Sequence, residues 1–68
     1  AALDRLEQEL RQAPRTAVGC FDILFRRRIG DGEFGLALVE AVAHINHLRL
    51  RDRIRPVGER DGAVLWGA

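Results

Sequence analysis

The sequence has no lysine and one cysteine among its 68 residues. With Cys20 alone, an internal disulfide is excluded. Cys20, His44 and His47 also fall short of the four ligands that a structural zinc site needs. No apolar run approaches the ~20 residues that span a bilayer, and no signal-peptide pattern stands at the start. A reduced cytoplasmic compartment is therefore expected, which a lone thiol suits. The length excludes TIM barrels, dinucleotide-binding folds and any large sheet. A domain this small buries only about 60% of its unfolded surface. Without a disulfide or metal it is expected to lean on a partner surface.

The missing lysine means that all eleven basic residues are arginine. With abundant Ala and Gly, this most simply reflects a GC-rich bacterial genome. Arginine also suits phosphate contact, so nucleic acid stays in view although the net charge is only +1. The first residues are Ala1-Ala2 and not Met, which suggests a processed product or, more simply, a fragment of a longer protein.

Leu3, Leu6 and Leu10 recur at helical spacing, and charged residues, Glu7 among them, fill the rest of that helix. Pro14 disfavours helical geometry at Ala13 and ends it. Thr16 can cap a second helix, with Val18, Phe21, Leu24 and Phe25 as its apolar face and Arg26–Arg28 at its C-terminus, opposing the macrodipole. Gly30-Asp31-Gly32 forms a turn. Asp31 can cap a third helix running to about Arg51. Arg53–Gly58 reads as a short strand with Pro56 at an edge or end. Asp61-Gly62 is a hairpin turn, and Ala63–Trp66 returns. Three helices followed by a two-stranded β-hairpin make an α+β winged helix-turn-helix, one domain over 1–68. Its expected core is Leu6, Leu10, Phe21, Leu24, Phe25, Phe34, Leu38, Val42, Ile45, Leu48, Ile54 and Trp66.

The single residues suggest little chemistry. His44 and His47 lie three apart on helix three, with no third ligand at suitable spacing. Cys20 has no neighbouring base and reads as a buried structural thiol. Gly30, Gly32 and Gly35 follow no strand, so they are turn glycines and not a phosphate loop.

The third helix carries the functional information. At about 100° per residue, Leu38, Ala41, Val42, Ile45 and Leu48 fall within roughly 80° of Phe34 and form one face with it. The opposite side holds Leu36, Val39, Ala43 and Leu50, flanked by Glu40, Asn46 and His47. A DNA-reading helix would present polar and basic side chains there. A helix apolar on two sides is buried on two sides. Leu36, Val39, Glu40, Ala43, His44 and Leu50 are thus the expected docking surface. The alternative is a stand-alone DNA-binding domain using Asn46, His47, Arg49, Arg51, Arg53, Arg55 and the wing Arg60. A third reading makes helix one and the outer stripe of helix three an oligomerisation seam.

The series Thr16-Ala17, Leu24-Phe25-Arg26-Arg27, Glu40-Ala41-Val42-Ala43-His44-Ile45-Asn46-His47-Leu48, Arg53-Ile54 and a hairpin ending in Trp66 resembles the C-terminal winged-helix segment of metallo-β-lactamase-fold hydrolases. In that family the segment often reads T-A, L-F-x-R, G-E-A-x-A-H-L-x-x-L, G-R-[IVL] and a wing. Val39 stands where Gly is common, which implies less close backbone packing at that face. Asp52 stands where Gly often ends the helix, and Asp tolerates the left-handed conformation needed there. The resemblance implies an accessory role. The family's zinc is held upstream by an H-x-H-x-D-H motif that is absent here, so no cofactor is expected in this chain. The expected partner is the catalytic domain of the same protein or a second copy. In some nuclease members a similar module helps hold RNA, so nucleic acid remains possible. No membrane contact is expected.

Overall fold

The computed structural model describes residues 1–25 and 27–68. Arg26, part of the expected arginine cluster and of the L-F-x-R motif, lies outside the described residues. Helix α1 spans Ala2–Gln12, α2 Phe21–Leu24 and α3 Phe34–Leu50. Strands β1 (Arg55–Arg60) and β2 (Ala63–Gly67) pair antiparallel. Single 3₁₀ turns, Val18–Cys20 and Asp31–Glu33, lead into α2 and α3. The result is an α+β fold of three helices and a hairpin in a winged-helix-like order, as expected from the sequence.

The hairpin turn follows from its two residues. Asp61 (φ 52°) and Gly62 (φ 83°) are both left-handed, as the type I′ turn that matches strand twist requires. Pairing runs from Arg60 opposite Ala63 to Arg55 opposite Gly67, with the register shifting between Pro56 and Gly58. A third short partner was not legible in the sequence. The Arg15 amide donates to the Trp66 carbonyl (3.0 Å) and the Trp66 amide to the Arg15 carbonyl (2.8 Å). This bridge ties the α1–α2 connection to β2. It leaves β1 on the outer edge, where Pro56 and the irregularity after it disfavour further pairing.

The strand begins two residues later than expected, because Arg53 belongs to the end of α3. The Arg53 amide donates to the Leu48 carbonyl (2.9 Å) and the Asp52 amide to that of Arg49 (3.0 Å), with Asp52 at φ 58°. That is a Schellman closure with Asp in the position glycine favours.

Helix α2 is far shorter than expected. The Thr16 hydroxyl does accept a hydrogen bond from the Gly19 amide (3.0 Å). The helix stops at Leu24, however, and Phe25 is extended, its ring edge-on to Phe21, which also meets Phe34 edge-on. Arg27 and Arg28 therefore do not close a helix. Arg27 pairs instead with Glu33 at 2.7 Å. Asp31 makes no capping hydrogen bond and opens the 3₁₀ turn before α3.

The core is narrower than expected. Leu6, Leu10, Cys20, Ile45, Leu48 and Ile54 form its centre, with Ala37 and Ala41 also buried. Phe21, Leu24, Phe25, Leu38 and Trp66 are half-buried. Phe34 and Val42, both expected inside, are 45% and 40% exposed. The buried line of α3 is Ala37, Ala41, Ile45 and Leu48. It lies turned by roughly 25° from the face centred on Phe34, at about 100° per residue. Small side chains at Ala37 and Ala41 suit a close approach of α3 to the other elements on that line, and Val42 falls outside it.

Glu7, one of the charged residues beside the apolar stripe of α1, is 8% exposed. Burial of a carboxylate requires charged partners. The Arg53 guanidinium grips it through Nε (3.1 Å) and Nη2 (2.7 Å), and Arg11 Nη2 adds a bond of 2.6 Å. The clasp joins α1 to the segment after α3. The hydrogen bond from Arg53 lowers the Glu7 pKa below its ordinary value against the opposing effect of burial, with the charges of Arg53 and Arg11 assisting.

Candidate interaction surface

Helix α3 has one buried line and, opposite it, an apolar line with no cover. Leu36 is 70% exposed, Val39 63% and Leu50 74%, and Ala43 between them is exposed as well. Exposed apolar side chains are common when scattered singly, whereas a contiguous set points to an interaction site. These four share one side of one helix. They stand where the sequence places the outer stripe. Val42, 40% exposed, adds apolar surface along one flank of the line.

The polar members of the expected docking set border this line. Glu40 is exposed. His44 is half-buried, and its Nδ1–H donates to the Glu40 backbone carbonyl at 2.7 Å. That bond fixes the ring against its own helix and leaves Nε2 as the outward nitrogen. Leu3, Ala43, His44 and His47 line a shallow hollow beside the stripe. At the N-terminal end of α3 a second hollow is lined by Phe25, Ile29, Leu36 and Ala37 together with the charged Arg27, Glu33 and Glu40.

The residues of the nucleic-acid alternative are dispersed. Arg53 is committed to Glu7. Asn46 is half-buried and accepts a long hydrogen bond from Arg49 Nε (3.4 Å). His47 is exposed on α3 and Arg51 just beyond its end, while Arg55 and Arg60 occupy opposite ends of β1.

Other chemistry is sparse. Among the described residues, no group of three or more His, Cys, Asp or Glu side chains is placed to hold a metal ion. Cys20 is fully buried, and burial pushes its thiol up to about 11, with Arg15 opposing and Asp22 adding. Among the described residues, no helix is long and apolar enough to cross a membrane.

The charged residue whose structural role sequence reasoning missed is Glu7. The signal that could have found it is its position: one residue after Leu6 and three before Leu10, it borders the buried stripe of α1.

Comparison with protein-family models matches residues 3–67 to the family described as metallo-beta-lactamase-like, C-terminal domain. No curated protein and no solved structure matches the chain.

Proposed function

Because this chain belongs to the metallo-beta-lactamase-like C-terminal domain family, we propose that it is the non-catalytic accessory module of a zinc-dependent hydrolase, docked on the catalytic domain through the outward face of α3. The observation that carries the reading is the uncovered line of Leu36, Val39, Ala43 and Leu50. Such a line left in water is unfavourable by about 25 cal/mol for each Å² of apolar surface that a partner could cover. Glu40 and His44 border it as polar rim. Zinc would supply its chemistry within the catalytic domain, and the residues of this chain shape and brace that domain.

The face also favours protein over DNA as partner. A groove-reading helix needs donors and cations where α3 carries Leu, Val and Ala.

The test is the double variant Leu36→Asp, Leu50→Asp. Both positions are mostly solvent-exposed, so the 68-residue chain keeps its helical circular dichroism. In the longer protein that includes the catalytic domain, the same changes lower the unfolding temperature of that domain and its hydrolytic rate. An unchanged longer protein would sink the docking face.

A further inference from the structure

Leu36, Val39, Ala43, Asn46 and Leu50 are separated by steps of three, four, three and four residues. This is the spacing of a heptad seam, the arrangement by which one helix receives another. The line covers about 21 Å of α3 at 1.5 Å per residue. Its middle position is Ala43, whose side chain is a single methyl, and larger side chains stand at both ends. A helix crossing there can come close at the centre, within the ~8–10 Å axial separations of packed helices.

Charge gives the seam a direction. Glu40 borders its N-terminal half, and His47 and Arg49 border its C-terminal half. Helices favour acidic residues in the first turn and basic residues in the last. A helix laid antiparallel to α3 sets its basic last turn beside Glu40 and its acidic first turn beside Arg49. A parallel helix would set like charges together at both ends.

Size tells where this helix comes from. The seam and its borders, Glu40, Val42, His44, His47 and Arg49, number ten residues. Stable interfaces between separate proteins use about 20–30 residues a side. A contact this small holds when both parts share one polypeptide, where the effective concentration reaches the millimolar range.

Resting on the docking reading above, we propose that the occupant of the seam is one amphipathic helix of the catalytic domain in the same chain, running antiparallel to α3. Its apolar side chains repeat at heptad spacing, with a basic residue facing Glu40 and an acidic residue facing Arg49.

The experiment places a photo-cross-linking phenylalanine analogue at position 36 or at position 50 of the longer protein. Both positions are mostly exposed within this domain, so the analogue leaves the domain's own core intact. Illumination is followed by peptide mapping. The expected result is two cross-links into one helical segment of the catalytic domain, about 14 residues apart. The link from position 36 lies C-terminal to the link from position 50, and yield is independent of protein concentration. Links in the opposite order, or into unrelated segments of the catalytic domain, overturn the antiparallel helix and leave the docking reading standing. Links into a second copy, with yield rising with concentration, overturn the intramolecular occupant. No link to the catalytic domain from either position overturns both readings.

Discussion

Two leucine-sized residues on α3 should respond oppositely to the same truncation. Ile45 is 2% exposed and packs among Leu6, Leu10, Cys20 and Leu48. Leu50, five residues later, is 74% exposed. Removing buried methylenes loses their transfer free energy and leaves a cavity, about 2–5 kcal/mol for Ile→Ala. A 68-residue domain has roughly 3–10 kcal/mol of stability in total. Ile45→Ala therefore removes a large share of it. At about 4–8 °C per kcal/mol for a domain of this size, the melting temperature falls by at least 8 °C. Leu50→Ala should change stability by no more than about 0.5 kcal/mol. Urea titration followed by helical circular dichroism measures both, and the slope with denaturant shows whether the unfolded state is shared. Equal losses in the two variants would refute the assignment of buried and outward faces. So would an Ile45→Ala variant within 0.5 kcal/mol of the parent chain.

Three further outcomes are expected. The Glu7 carboxyl has a lowered pKa in the folded chain, so its stabilising contribution is present above the ordinary value of 4.5 and is lost as pH falls through the lower folded value. The urea midpoint should drop over that acidic window, and Glu7→Gln should flatten the drop; an identical pH profile in the variant would contradict the clasp. Cys20, buried and with its thiol raised to about 11, should resist a water-soluble disulfide reagent at pH 8 until urea unfolds the chain; fast labelling of native protein would contradict its burial. Asp52 holds a left-handed backbone at the end of α3, so Asp52→Gly should raise stability by up to about 1 kcal/mol, read from the urea midpoint, with relief of strain exceeding the added chain entropy.

Local chemistry was legible where one or two residues decide the outcome. Pro14 marked the end of α1, Asp61-Gly62 specified the hairpin turn, and Asp52 was readable as a left-handed helix end. The outer stripe of α3 was legible because periodicity alone sorts a helix into sides. The length of α2 was not. Its pattern continues to the arginines, yet the aromatic contacts among Phe21, Phe25 and Phe34 accompany its end at Leu24, and these join residues on different elements. Arg53 read as a strand residue because the hydrogen bond to Leu48 that closes α3 has no signature of its own in the sequence.

By itself the sequence determined the order of elements, the turn types and the two-sided apolar character of α3, since each depends on residues within a few positions of one another. Tertiary structure alone decided which line of α3 turns inward. The small side chains at Ala37 and Ala41 suit a close approach of that line to the core, and Phe34 and Val42 fall outside it. It also decided that Glu7 is buried and clasped by an arginine 46 positions away, and that Arg15 pairs with Trp66. Contacts between distant residues depend on how the elements pack, and periodicity along the chain carries no record of that.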